Sequence, residues 1–418
     1  MGRPLLVFVF VALLAAVAAK KAVKPPPAPY APECRIDEPD LFKEADPSQV
    51  PWFTIDLDAP AKTRYAQIAR VYKDQIPPVL DVLRQMVAMI VGDLPLFEVL
   101  ESFFRDAFEG GRYPQPYRDE IQGIADASGV PVEQIAMMNV FYELSRYCTS
   151  IVAEDATGGM WHGRNLDFGQ LFIWDVKDQS WGLTEALKKV TINLNFIKNG
   201  KLMYKGTTFA GHTGIITGMR MGEFTLSMNA KMVPDIAQLM EWLTGDVKDV
   251  HFAMWVDRET MEKANNFEEA RAYLSTVEQM TGCYYILGGN KPGQGSIIIR
   301  NATAMYEEPK LHDGDNDWFV LQTNYDPEQE PLWVDDRRTG GNACMNKLGK
   351  DRVSLETLYK VLKSKTTLNK TTVHTVIMSI THGAETGAES WIRITHEMEG
   401  PKNRAGALER DREIAFSW

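Results

Sequence analysis

From Ala59 to Phe108 apolar residues recur at three- and four-residue steps: Ile68, Val71 and Tyr72, then Val79, Leu80, Val82, Leu83, Met86, Val87 and Ile90. That is the period of a helix with one buried face. Pro77-Pro78 and the stretch from Gly92 to Pro95 are expected to break it into separate helices. A further helix is predicted from about Pro131 to Arg146, with Glu133 in its first turn and Ile135, Met138, Val140, Phe141 and Leu144 along it. Beyond Cys148 the period falls to two. CTSIVAED, the turn-forming ATGG and MWHGRNLDF predict a hairpin. A second hairpin is expected around Lys198-Asn199-Gly200-Lys201, where Asn-Gly favours a tight primed turn, and GIITGMRMGEFTLSMNAKM makes a third. Helices return near 235–243, 252–264 and 267–274, followed by strands in CYYILGG, GSIIIRNA and WFVLQTNYD. Hairpins interleaved with helix pairs predict an α+β fold in which two sheets are sandwiched by helices.

Composition narrows the setting. The chain has 418 residues, 44% of them hydrophobic, enough for a large core. Its formal charge of -11, with no long Lys/Arg run, argues against a nucleic-acid partner. The opening MGRPLLVFVFVALLAAVAAKK holds one arginine, an apolar run of about fifteen residues and the small-residue stretch Ala16-Val17-Ala18-Ala19, and reads as a signal peptide over 1–19. As a membrane anchor the run falls short of the roughly 20 residues a bilayer needs. A proline-rich leader follows, up to Cys34. The four cysteines are Cys34, Cys148, Cys283 and Cys344; in an oxidising compartment one long-range disulfide is expected, with Cys34 to Cys344 the favoured pairing, although sequence alone leaves connectivity open. Cys283, in a strand pattern, reads as a small buried hydrophobe. Asn301-Ala302-Thr303 and Asn369-Lys370-Thr371 are sequons and candidate glycosylation sites.

Cys148 remains, at the junction of a helical and a strand-like pattern. Arg164 and Asp167 lie 16 and 19 residues after it, on the strand that the first hairpin folds back beside it. A thiol attacks only as thiolate, its free pKa is about 8.5, and a neighbouring cation lowers it. Neither His162 nor His212 sits in a recognisable Cys/His motif. The other available base is the cysteine's own α-amino group, of pKa about 7.7 to 8.0, which exists only if the chain is cut before Cys148. Taken as bare residues, the cysteine reads as a buried structural residue and the Arg/Asp pair as a plain surface or core ion pair.

CTSIVAED followed by HGRNLDFG resembles the cysteine-type N-terminal nucleophile amidases, and more closely the acid ceramidase and N-acylethanolamine acid amidase family. The resemblance extends through VPWFTIDLDAP, NVFYELSRYCTSIVAED, GTTFAGHTGIITG, YYILGGN, VLQTNYD and VDDRRT. It implies an αββα sandwich with a mainly helical N-terminal subunit, made as a proenzyme that cuts itself between Tyr147 and Cys148. The implied parts are a signal peptide at 1–19, an α-subunit at 20–147 and a catalytic β-subunit at 148–418, held as a heterodimer. Cys148 matches the nucleophile, Arg164 and Asp167 the polar residues of the family's HGRNxD segment, Asn324 an oxyanion donor and Arg337 the arginine lining the site. A departure is Ala230, in SMNAKM, where the family carries a glutamate linked to self-processing; Glu223 lies too far upstream to be assumed in its place.

The resemblance further implies a lysosomal hydrolase without cofactor or metal that opens the amide bond of ceramide. A lipid substrate brings a membrane surface and a saposin-type activator as partners, and gives the helices of PPVLDVLRQMVAMIVGDLPLFEVLESFF a second use beside core packing, that of covering an acyl-chain channel. GQLFIWDVKDQSWGLTEALKKV resembles the ceramidase version, whereas KNGKLMYKGTTF is closer to the ethanolamide-hydrolysing enzyme. The alternatives are therefore an N-acylethanolamine amidase and, given Ala230, an uncleaved lipid-binding protein without activity.

Overall fold

The structure, a computed structural model, describes residues 34, 43–44, 50–91, 96–141, 147–168, 174–177, 180–231, 236–247, 250–313, 317–332, 335–364, 367–382, 391–393 and 395–396. The signal-peptide expectation, and the last turn of the helix expected up to Arg146, lie outside these residues.

Two antiparallel-rich sheets face each other. The larger has eight strands in the order Met305–Glu307, Gly295–Arg300, Cys283–Gly288, Phe224–Ala230, Thr217–Arg220, Lys201–Phe209, Thr191–Lys198 and Trp52–Asp56, with only the last pair parallel. The smaller has five: Phe319–Gln322, Tyr147–Glu154, Met160–Asp167, Thr372–Met378 and Trp391–Arg393. Helices Ala253–Lys263 and Phe267–Thr276 cover the outer face of the first sheet, and Arg337–Leu348 and Leu355–Leu362 that of the second. The layers are α, β, β, α. This is the αββα sandwich that the resemblance implies, and it arises because each sheet must bury both faces.

Local chemistry explains the pieces that matter. Asn199 and Gly200 take φ of 50° and 69°, the left-handed pair that a two-residue primed turn requires. Every residue of Tyr147–Glu154 and of Met160–Asp167 is buried. On one face Val152 packs with Tyr284 and Ile286 of the large sheet; on the other Ile151 and Ala153 pack with Leu358 and Leu362 of the outer helix. Gly163 permits that second contact, since a Cβ there would stand 2.9–3.1 Å from the side chains of Leu362 and Leu358.

The helices between residues 61 and 141 share one apolar core with the sandwich: Ile68, Leu80, Leu83 and Phe104 lie in the same cluster as Phe209, Phe252 and Trp255. The two parts expected on either side of Cys148 are thus not separately packed. Pro77 and Pro78 do not break a helix but open one, Ile76–Val91, because the first turn has no use for their missing N–H groups. The helix expected to start near Pro131 runs Val132–Phe141 as described. Four α-helices among the described residues had no counterpart among the sequence expectations: Tyr117–Ser128, Gly182–Val190, Arg337–Leu348 and Leu355–Leu362. Cys34 and Cys344 form a disulfide across 310 residues, tying the segment before Cys148 to the part after it.

Candidate active site

Cys148 lies near the start of the first strand of the central hairpin, fully buried and unoxidised. Antiparallel register places Leu166 opposite it, Asp167 opposite Tyr147 and Arg164 opposite Ser150. Alternation along the strands then puts Cys148, Ser150 and Arg164 on the face turned towards the large sheet. A guanidinium and a sulfur two rows apart on adjacent strands can meet, and they do: Arg164 Nη2 donates to Cys148 Sγ at 3.0 Å. The two terminal nitrogens of that guanidinium are also held, by Thr217 Oγ1 at 2.7 Å and the Met228 carbonyl at 3.0 Å. A fixed cation in contact with a sulfur favours its thiolate form.

The backbone of Cys148 is gripped as firmly as its side chain. Its N–H donates to Asn324 Oδ1 at 2.7 Å, and its carbonyl accepts from Arg337 Nη1. Arg337 also donates to Asn324 Oδ1 at 2.7 Å, so two donors converge on that oxygen and fix the orientation of the amide. Asn324 Nδ2 donates to the Ala230 carbonyl at 2.7 Å. In this geometry the Asn324 oxygen holds the peptide N–H of Cys148 while its amide nitrogen is turned to the Ala230 backbone.

Arg337, at the start of the outer helix Arg337–Leu348, is paired through Nε and Nη2 with both oxygens of Asp335, at 2.8 and 2.9 Å. The pair is buried, not on the surface, and it aims the remaining Nη1 at Cys148 and, at 3.4 Å, at Asp167. Burial pushes the Asp167 carboxyl up to about 6 against the opposing pull of Arg337. Its oxygens accept from Thr372 Oγ1 at 2.5 Å and Asn369 Nδ2 at 3.4 Å.

No histidine serves the sulfur among the described contacts. His162 lies between Thr225 and Ser227, 2.9 Å from each hydroxyl, and burial pushes its pKa down to about 3. His212 is held down at about 4, also by burial. From His162 a buried polar chain runs through Ser227 and Ser150 to Asn229, whose amide donates to the Gln322 and Thr323 carbonyls. It ties both sheets to the loop that carries Asn324. Among the described residues no group of side chains has the composition of a metal site.

All five residues expected at the site converge on one strand end. Asp335, Thr372, Ser150, Asn229 and Asn369 as a contact of Asp167 were missed. Ser150 and Asn229 were legible as polar residues at inward positions of strands that should be apolar there; Asp335 and Thr372 carried no such signal. Ala230 is 5% exposed and meets Asn324 through its carbonyl, a contact any residue could make. Cys283 is buried, takes a hydrogen bond from Gln279 Nε2 at 3.1 Å, and burial pushes its thiol up to about 11. Beside the site a cavity of about 20 Å³ is lined by Val79, Leu83, Leu183, Leu187, Phe209 and His212 among others. It has room for little more than a water molecule, so an acyl chain would enter only if the helices part.

Comparison with known proteins places this arrangement. Residues 48–110 match the family described as the beta subunit of N-acylethanolamine-hydrolyzing acid amidase. Residues 148–325 match linear amide C–N hydrolases of the choloylglycine hydrolase family, and that match begins at Cys148. The fold and site thus define an enzyme that hydrolyses linear amides. A probable acid ceramidase of Caenorhabditis elegans is 49% identical over 85% of this chain and 89% of its own length. The acid ceramidase of Homo sapiens is 34% identical over 89% of this chain and 94% of its own. A solved N-acylethanolamine-hydrolyzing acid amidase ortholog of Caenorhabditis elegans is 30% identical, with a TM-score of 0.49, covering 59% of this chain and 99% of that one. The chain belongs to the acid ceramidase and N-acylethanolamine acid amidase family.

Proposed function

We propose that this protein is a ceramide amidase whose nucleophile is Cys148, exposed as a new N-terminus by self-cleavage after Tyr147. One observation carries the reading: sulfur, N–H and carbonyl of the same cysteine are each held by a different buried polar side chain, Arg164, Asn324 and Arg337. A structural cysteine has no use for three such contacts, and burying them is costly unless they act together.

In the first step Cys148 Sγ adds to the Tyr147 carbonyl carbon, a C–S bond forms, the C–N bond breaks, and the thiol proton passes to the departing amine. Water then hydrolyses the thioester, leaving a Tyr147 carboxylate and a free thiol. The α-amine of Cys148 becomes the general base for its own sulfur. Asp167, in register with Tyr147, holds the ammonium form, and Asn324 and Arg337 are assigned to the oxyanion. A lipid amide follows the same course: acyl thioester, release of the sphingoid amine, hydrolysis to the fatty acid. Position 230 reaches the site through its backbone, which makes alanine compatible with these steps.

The curated relatives named above are acid ceramidases, which favours ceramide over fatty acid ethanolamides and a lysosomal setting with a membrane-presented substrate and a saposin-type activator. The test is incubation at acid pH followed by N-terminal sequencing of the larger fragment and side-by-side turnover of the two lipids. A fragment starting at Cys148 and preference for ceramide are expected. A chain that stays whole yet hydrolyses lipid amides rejects the mechanism, and preference for the ethanolamide rejects the substrate.

A further inference from the structure

The chain carries two sequons in opposite surroundings. Asn301 is exposed at a turn, where its Oδ1 accepts from the N–H groups of Thr303 and Ala304 and from the Thr303 hydroxyl. Asn369 is half-buried and stands against the catalytic strand. Its Oδ1 accepts from the Thr371 N–H at 2.9 Å and the Thr371 hydroxyl at 2.5 Å, which fixes the amide so that Nδ2 points to Asp167 Oδ2 at 3.4 Å. The same turn supplies the second support of that carboxylate, since Thr372 Oγ1 donates to Asp167 Oδ1 at 2.5 Å. The turn is closed on itself by Thr372 N–H to the Asn369 carbonyl at 3.0 Å and Asn369 N–H to Thr372 Oγ1 at 3.1 Å. It is stitched to the strand by Phe168 N–H to the Thr371 carbonyl at 2.7 Å. Residues 369–372 therefore form a cradle with one donor for each oxygen of Asp167.

A sugar on Asn369 would be attached to the very nitrogen that faces Asp167, a carboxylate with no solvent exposure. We propose that Asn369 is a positioning residue for Asp167, and that glycosylation of its sequon and a working active site exclude each other, so the self-cleaved enzyme is unmodified there. This separates the two candidate glycosylation sites, and it rests on the reading of Asp167 as the partner of the Cys148 amine. The groups facing Asp167 are Arg337 from the outer helix, Asp335 just before it, Tyr147 on the neighbouring strand, the Asn369 and Thr372 donors and, after cleavage, the new amine. Of these, Asn369 is a neutral donor to the ionised form, so its removal lets Asp167 hold its proton to higher pH.

Two measurements decide. The cleaved enzyme secreted from eukaryotic cells is treated with a peptide N-glycosidase in heavy-oxygen water and mapped by mass. Label is expected at Asn301 and not at Asn369; label at Asn369 in most of the cleaved, active material overturns the proposal. The pH profile of kcat/KM is then compared in Asn369→Ala and Asn369→Asp. The acid limb is expected to move up by roughly half to one pH unit in the first and further in the second, where a carboxylate faces Asp167. Acid limbs unmoved in both folded variants overturn it. Should neither variant fold, the label on the unaltered enzyme decides alone. Failure of the amidase reading looks different: lipid amide turnover that survives Cys148→Ala.

Discussion

Two buried charge clusters, one joining the parts before and after Cys148 and one at Cys148 itself, are built on opposite principles. In the first, Arg258 of the outer helix donates to both oxygens of Glu120 at 2.5 and 2.9 Å, to Glu262 at 2.8 Å and to the Thr213 carbonyl at 2.8 Å. Arg64 closes it at 2.9 Å from Glu120. This cluster clamps the N-terminal helices onto the sandwich with short, two-pronged bonds. In the second, Arg337 gives its two-pronged bond to Asp335 and only a 3.4 Å contact to Asp167, while Arg164 faces a sulfur. Tight pairing makes a fastener. Loose pairing leaves burial free to raise the Asp167 carboxyl to about 6, with a thiol held beside a cation.

Predictions follow from that contrast, the largest effect first. Cys148→Ala should abolish both the split after Tyr147 and amide turnover, read on a gel and by lipid product, with the melting temperature nearly unchanged. Arg164→Ala should likewise lose activity, whereas Glu120→Ala should lose about 3–5 kcal/mol of stability in denaturant titration, because it strands Arg258 without its carboxylate. Replacing both members with apolar residues of similar volume should restore much of that loss.

Asp167 ties stability to pH. Its folded pKa of about 6 lies above the ordinary value of 3.8, so the folded state binds the proton more tightly. Its contribution is fully present below about pH 4 and fades as pH rises through 6. Asp167→Asn should therefore gain on the parent protein between pH 4 and pH 7 by about 2–3 kcal/mol, measured as the change in their stability difference. A difference that does not depend on pH would place Asp167 in the fastening class with Glu120. At the small end stands the exposed pair Lys62–Asp126, at 2.7 Å, where Lys62→Ala should cost less than about 1 kcal/mol and nothing at high salt.

The comparison also shows how far residue order can be read. Strand period, the Asn199-Gly200 turn and the junction at Cys148 were legible because they depend on neighbours in the chain, and the hairpin alone brings Arg164 and Asp167 back beside the cysteine. Gly182–Val190 and Leu355–Leu362 have clear amphipathic patterns that went unassigned. Arg337–Leu348 holds two glycines at 340 and 341 and has weak helix propensity, so packing and the Asp336 N-cap decide it.

By itself the sequence determined the layered α+β class and which side chains share a strand face with Cys148, since alternation and a tight turn fix both. Only the tertiary structure decided what surrounds that cysteine. Asp335 becomes a buried partner of Arg337 and Asn369 a support of Asp167 across 202 residues of chain, because a carboxylate taken out of water must find donors wherever the fold can bring them.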